Sequence, residues 1–460
     1  TPDRAANTLS TGELQRIQLA RAVRNKTTGV LYVLDEPSIG LHPANVDGLL
    51  AVIRDLVKRG NSVAVVDHDT RVISAADYVI EMGAGAGKSG GNVLACGSVL
   101  EVENNERSVI GGYLSGKKNV NVRVRAAKGE MFEKGVIELA TGPLHTVHAL
   151  DVKIPKGRLS VVTGVSGSGK TTTVLESLVP ALQAKINGEK MPSHIKFLSA
   201  EGIRRVNLID ATPIGINVRS TVATYSGILD DLRKLFEKTA EAKAHGWKVN
   251  DFSYNTGSLR CPTCDGTGEI SMDIQFLPDV EIICPDCGGR RYAKRADEAK
   301  TELCGRTYTI SELMNVTAGE AVRLFEKHKK IREKAETLTE LGLGYLTLGE
   351  STPALSGGEA QRLKLATELK RTQDDAVFVF DEPTIGLHPQ DVGVVLKVFD
   401  GLIRNGATVV VIEHDLDMIK NADYIIDMGP RGGSAGGRIV AEGTPEEIAE
   451  NPESVTGKYL

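Results

Sequence analysis

A chain of 460 residues, 41% hydrophobic and 25% charged, can build packed cores and has neither a disordered nor a fibrous composition; at about 150 residues per domain, about three domains are predicted. Its net charge of −5 argues against a uniformly basic coat while leaving room for a local basic groove, and no run approaches the roughly 18 uncharged apolar residues that cross a membrane. Six cysteines are too sparse for a secreted disulfide scaffold and no signal peptide is visible, so a reducing, cytoplasmic setting is expected, although the chain opens at Thr1 rather than Met and reads as cut from a longer one.

In chain order, residues 9–16 read LSTGELQR. Ser10-Thr11-Gly12-Glu13 fits a capping box before an amphipathic run, and a capped helix N-terminus is also an anion site. An apolar run ending in Asp35-Glu36-Pro37 follows, then His68-Asp69 and Asp77-Tyr78. Gly83 to Ser89 resembles a phosphate loop but is one residue short, so it is expected to be a glycine-rich turn between strands. The polar stretch 116–135, rich in Lys and Arg, reads as a linker.

Residues 164–171 then fit G-x-x-x-x-G-K-[ST]. The context fits too: Leu159 to Val162 reads as a strand entering the loop, and Thr171 to Val179 as a helix leaving it. Gly164, Gly167 and Gly169 let backbone N–H groups crowd around phosphate oxygens, Lys170 reaches the β- and γ-phosphates, and Thr171 offers its hydroxyl to Mg2+. Ser166 and Thr172 complete the candidate ATP-binding set.

Between Lys170 and Ser356 there is room for an inserted domain, and two C-x-x-C pairs fall inside it. Cys261, Cys264, Cys284 and Cys287 have the spacing of a structural Zn2+ site with no open position. Cys96 and Cys304 have no such partners. The flanks of the pairs also resemble the cysteine repeats of DnaJ-type chaperones, which have no phosphate loop. The basic run Arg290 to Arg295 beside the pairs reads either as a phosphate-contacting surface or as a plain solvated charge run. A charged helical segment is predicted at about 317–340.

Residues 355–362, LSGGEAQR, repeat 9–16 at an offset of 346. The same offset carries Asp35-Glu36-Pro37 onto Asp381-Glu382-Pro383, His68-Asp69 onto His414-Asp415 and Asp77-Tyr78 onto Asp423-Tyr424. The chain therefore holds two copies of one unit, with the phosphate loop ahead of the second only. Val377 to Phe380 reads as a buried parallel strand with carboxylates at its carboxyl end, where α/β sheets bind ligands. There Asp381 can hold Mg2+ through water, Glu382 can take a proton from the attacking water, and His414 can contact the γ-phosphate or order that water.

A phosphate loop, an LSGGE-type signature, a strand ending in Asp-Glu and a later His resemble the marks of ABC-type ATPases. That resemblance implies an α/β fold of two nucleotide-binding units, one partial and one complete, packed head to tail with an inserted zinc-binding module. The phosphate loop, Asp381, Glu382 and His414 would face Ser10 and Gly12 across one composite ATP site. The other site, with Asp35, Glu36, His68, Ser356 and Gly358, would lack a phosphate loop and be inactive.

With the four-cysteine insert, the chain resembles the UvrA family of the bacterial excinuclease. Agreement extends through Asp210–Tyr225, Phe276–Asp279, Leu341–Gly358 and Thr384–His388. The resemblance implies ATP, Mg2+ and Zn2+ as cofactors, and ATP-controlled binding of damaged or drug-modified double-stranded DNA by a homodimer. UvrB is a possible partner, although the family's UvrB-binding domain is not in this chain. The expected division is 1–115 for the back of the first ATPase unit, 116–135 for the linker and 136–225 for the phosphate-loop part. Residues 226–340 would be the zinc-bearing insert and 341–460 the rest of the second unit. Three departures stand out: Ala211 where the family has glutamine, Thr11 in the first signature, and Asp67 instead of Glu before His68. Three alternatives share these motifs: a UvrA-like self-resistance protein, an ABC ATPase acting on a ribosome or membrane partner, and a non-hydrolysing ATP-gated binding module.

Overall fold

The computed structural model describes residues 17, 21, 27–83, 90–120, 123–210, 212, 214, 219–272, 280–366, 368–369 and 373–460. Ser10, Thr11, Gly12, Lys88, Ala211 and Phe276–Asp279 lie outside the described residues. The chain forms two compact units, Thr1–Ala211 with Arg371–Leu460, and Thr212–Lys370.

In the first unit, β1 (Leu31–Asp35) and β2 (Ser62–Val66) pair in parallel around helix α1 (Pro43–Lys58). Strands β3 (Val79–Gly83) and β4 (Asn92–Gly97) form an antiparallel pair. Next come β5 (Val136–Thr141), β6 (Leu150–Pro155), β7 (Leu159–Gly164), β8 (Ile195–Ser199) and β9 (Arg205–Ile209). The second unit contributes two antiparallel pairs, β10 (Glu269–Met272) with β11 (Val280–Ile283), and β12 (Thr301–Leu303) with β13 (Arg306–Tyr308). Back in the first unit lie β14 (Ala376–Asp381), helix α2 (Pro389–Arg404), β15 (Thr408–Ile412), β16 (Tyr424–Gly429) and β17 (Arg438–Gly443).

The main sheet runs β17-β16-β7-β15-β14-β9, parallel except for β17, and β6-β5-β8 form a separate antiparallel sheet. Strands β7, β14 and β15 are almost wholly buried, as their continuous apolar runs require of a parallel sheet covered on both faces. The offset of 346 holds in three dimensions. Leu31 pairs with Ser62 and Val377 with Thr408, and α1 and α2 start and stop at equivalent residues.

The two copies differ in what covers them. Helix α1 packs on Tyr32, Leu34, Val63 and Val65, but Leu31, Val33 and Val66 on the opposite face are more than half exposed. Their counterparts Val377, Val379 and Ile412 are buried against Val152, Leu178 and Leu182, which belong to the β5–β6 sheet and the helix after the phosphate loop. Between β15 and β16 lies β7, whereas β2 and β3 sit in different sheets.

In the second unit, the turn of β12–β13 puts Cys304 and Gly305 at positive φ, the backbone of a tight hairpin. The predicted helical segment at 317–340 is two helices, Ala318–Leu324 and Lys329–Glu340. The chain turns between them where Phe325 drops fully into the core, a tertiary contact that overrides local helix propensity.

Within the stretch read as a linker, Arg123 is an anchor. It donates to the carbonyl of Asn421 at 2.9 Å and to Asp423 at 3.0 Å, with side-chain exposures of 3% and 1% for the ion pair. Asp423 also accepts from the N–H groups of Ala126 and Leu159, tying this stretch to β7. Its first-copy counterpart, Asp77, is exposed. Removing one member of a buried pair leaves the other uncompensated, so Arg123→Ala should lower unfolding stability by about 3–5 kcal/mol in denaturant titration. An unchanged midpoint would contradict that role.

Candidate nucleotide site and cysteine cluster

Strand β7 delivers the chain to Gly164, and a helical run starts at Lys170. Gly164, Gly167 and Gly169 have φ of 131°, 77° and 101°, values that a side chain resists. A Cβ at Gly164 would overlap the carbonyl oxygen of Met428, and one at Gly169 would overlap Val147. No side chain caps the helix at Gly169, in contrast to the capping boxes at Ser98, Thr221, Thr309, Thr317, Ser356 and Thr444. The first-turn N–H groups thus keep their positive end for a ligand.

The Lys170 ammonium is buried and donates to the carbonyls of Gly164 at 2.9 Å and Val165 at 3.1 Å. Burial pushes its pKa down to about 8, opposed by the charges of Glu382, Asp427, Asp381 and Glu413. Thr172 donates to Glu176 at 3.0 Å, while Ser166 and Thr171 sit on the loop and the first helical turn.

Asp381 ends β14, and Glu382 follows it at φ 47°. Its first-copy counterpart Glu36 has φ 44°. Two non-glycine residues held in the left-handed region at equivalent positions mark strain retained at a site, which no sequence pattern announces. Burial pushes the Glu382 carboxyl up to about 7, helped by the charges of Glu413 and Asp381 and opposed by Lys170. Burial also raises Asp381, with Asp210 and Glu413 next in effect. The carboxylate of Glu382 lies 3.7 Å from Nε2 of His414, as Glu36 lies 3.5 Å from His68.

The Asp67 departure changes little. Asp67 accepts from the backbone and hydroxyl of Ser38 and from the N–H groups of His68 and Asp69. Glu413 accepts from Thr384, His414 and Asp415 in the same pattern. Gly40 and Gly386, both left-handed, sit where a Cβ would come within 3.0 Å of Glu382 and 3.1 Å of Glu36 respectively. Each copy thereby backs the other's glutamate, around a cavity of about 230 Å³ lined by both.

Two supporting features have contacts that the residues alone do not announce. The glycine-rich segment 429–437 is a turn that braces the phosphate loop, Gly433 N–H donating to Gly167 O at 3.0 Å and Gly437 N–H to Ser168 O at 3.1 Å. The run of glycines was the only signal. The second is the contact of His42 with the C-terminal segment through Thr456.

In the second unit, Ser356 caps the helix Gly357–Leu365 through a reciprocal box with Glu359. The four cysteines are buried and converge, with all Sγ atoms within 4.8 Å of one another, 3.9 Å for Cys261–Cys284 and 3.7 Å for Cys264–Cys287. Four buried sulfurs converging in this way suit a tetrahedral divalent cation. In the neighbouring basic run Arg291 is buried, while Arg290 is partly exposed and Lys294 and Arg295 are exposed. Arg290 pairs with Asp297, Arg291 is buried over the Tyr254 ring, and Arg295 donates to Ser258 O.

Gly164→Ala should abolish binding of a fluorescent ATP analogue, because backbone blocks the new methyl group. Gly167→Ala, whose Cβ would meet nothing nearer than 3.7 Å, should weaken it only by the cost of its positive φ, about 1–2 kcal/mol. Equal losses from both would contradict this reading of the cradle.

No family model matches the chain. It is 46% identical over 464 residues to UvrABC system protein A of Listeria monocytogenes, a match covering 100% of this chain and 48% of that protein. The structure matches that of UvrA2 from Deinococcus radiodurans with a TM-score of 0.90 and 40% identity, covering 99% of this chain and 55% of that one. A model of ribosome-bound archaeal Pelota and ABCE1 matches at TM-score 0.54 and 19% identity, over 98% of this chain and 61% of that one, a likeness of fold alone. The chain spans about half the length of the curated relatives it matches. With the motif geometry above, these likenesses make the chain a member of the UvrA family of ABC-type ATPases, corresponding to a C-terminal portion.

Proposed function

We propose that this chain binds and hydrolyses ATP at the second repeat and uses that cycle to control its hold on double-stranded DNA. The observation that carries the reading is the convergence of Lys170, Asp381, Glu382 and His414 at the carboxyl ends of β7, β14 and β15. Backbone N–H groups of Gly164 to Thr172, with Ser166, Gly167 and Gly169, cradle the phosphates, and Lys170 exchanges its two carbonyl partners for phosphate oxygens. Bound Mg2+ neutralises charge on the β- and γ-phosphates. Thr171 and Asp381 would hold it. Glu382 orients the attacking water and takes its proton while ADP leaves, and His414 holds the γ-phosphate side. By family resemblance, Ser10 and Gly12 close the site over the nucleotide.

Cys261, Cys264, Cys284 and Cys287 hold a structural Zn2+. The DNA partner, homodimer formation and any contact with UvrB rest on family membership, and lesion sensing would act through duplex shape and deformability. Among the described residues, no helix is long and apolar enough to cross a membrane.

Glu382→Gln should lower ATP turnover about 10²- to 10⁴-fold while leaving nucleotide affinity within about twofold. The identical change at Glu36, which faces His68 rather than His414, should leave turnover near that of the parent chain. Turnover that survives Glu382→Gln would sink the assignment. Metal analysis should find about one zinc per chain, lost in Cys261→Ser together with thermal stability.

A further inference from the structure

The C-terminal segment, 454–460, joins the two repeats through a directed hydrogen-bond chain that the catalytic reading leaves unused. His42 belongs to the first repeat and precedes α1. Its ring is fully buried, and burial, followed by the charges of Lys170 and Arg71, pushes its pKa to about 3, so the ring is neutral. Nδ1 accepts from the N–H of Ala44 at 3.2 Å, which places the single ring proton on Nε2. Nε2 therefore donates to Oγ1 of Thr456 at 3.0 Å. Thr456 in turn donates to Oδ1 of Asp427 at 2.9 Å, and Ser454 donates to Oδ2 at 2.5 Å. Tyr459 strengthens the bracket, its ring edge-on to His42 and its hydroxyl donating to Asp47 of α1 at 2.7 Å.

The chain ends beside the nucleotide site. Asp427 lies on β16 opposite Thr163 of β7, and the next pair in register is Met428 with Gly164, the first residue of the phosphate loop. There is no slack at that point, because a single Cβ on Gly164 would overlap the Met428 carbonyl. The turn after β16 is bonded to Gly167 and Ser168. A shift of Asp427 thus reaches the loop through covalent chain and ladder bonds.

The pseudo-equivalent place supplies a comparison. His388 meets Tyr113 edge-on as His42 meets Tyr459, and Ser108 donates to Glu81 as Ser454 donates to Asp427. But Ile110 stands where Thr456 would be, and Glu81 takes the N–H groups of Val109 and Ile110. The hydroxyl link is therefore specific to the side that carries Lys170, which packing of equivalent rings alone would not require.

We propose that His42 of the first repeat is a positioning residue for the nucleotide site of the second, holding the phosphate loop in place through Thr456 and Asp427. This inference rests on the phosphate loop being the nucleotide site. Nucleotide affinity would then depend on docking of the first repeat, without any first-repeat atom touching the nucleotide along this route.

The test uses the full chain and a fluorescent ATP analogue with Mg2+. His42→Ala and Thr456→Val should each raise its Kd about fivefold or more, and Thr456→Val, which leaves the edge-on contact of His42 with His414 in place, should raise KM for ATP with kcat within about threefold. Thr456→Ser, which keeps the hydroxyl, should stay within about twofold of the parent. The double variant His42→Ala/Thr456→Val should be no weaker than the weaker single, because both break one chain. The proposal is overturned if Thr456→Val binds like the parent, if Thr456→Ser loses as much as Thr456→Val, or if the two single losses multiply. Lys170→Ala separates the levels: loss of binding keeps the nucleotide-site reading intact whatever Thr456 does, and retained binding removes both.

Discussion

The constraint on which this structure depends is electrostatic: two copies of one unit bring their strand-end carboxylates to a common, partly buried place. Glu36, Asp67, Asp69, Glu382, Glu413, Asp415 and Asp417 all line one cavity. Burial raises the proton affinity of Glu382 and Asp415, and neighbouring carboxylates, Glu413 foremost, add to that rise. The fold relieves this in two ways. Backbone N–H groups and hydroxyls of the Ser38 and Thr384 turns donate hydrogen bonds to Asp67 and Glu413, and the ammonium of Lys170 opposes the field around Glu382. The left-handed glycines at 40 and 386 let the two turns approach without filling the space the glutamates need.

From that shared constraint the copies diverge. In the second, β7 supplies both the central strand of the sheet and the phosphate loop, and its neighbours cover Val377, Val379 and Ile412. In the first, the same face of β1–β2 leaves Leu31, Val33 and Val66 largely exposed. An apolar sheet face of that kind belongs against other apolar surface.

Much of the site was legible in the residues because its chemistry leaves few choices. Glycines at fixed intervals before a Lys-Thr pair, an apolar strand ending in two carboxylates, and paired C-x-x-C motifs each encode a local geometry that the structure reproduces at Gly164–Thr171, at β14 and at the cysteine cluster. The Ser356 capping box is likewise local and readable. What stayed hidden is tertiary. The left-handed backbone at Glu36 and Glu382 is imposed by neighbours rather than by residue type. Arg123 reads as linker charge in the sequence, and its buried partner Asp423 lies 300 residues away. The basic run at 290–295 has the composition of a nucleic-acid surface, yet Arg291 within it is buried over the Tyr254 ring. The break at Phe325 arises from burial, which periodicity cannot see.

The central claim is that nucleotide held at the second repeat governs the grip on duplex DNA. Its most direct test is fluorescence anisotropy of a labelled duplex, intact or carrying one bulky adduct, titrated with this chain at fixed salt, without nucleotide and with ATP or a non-hydrolysable analogue. The account predicts that nucleotide changes duplex affinity, that the adduct is preferred in one nucleotide state, and that Lys170→Ala removes the dependence. Affinity that is the same in every nucleotide state and for both duplexes would contradict it.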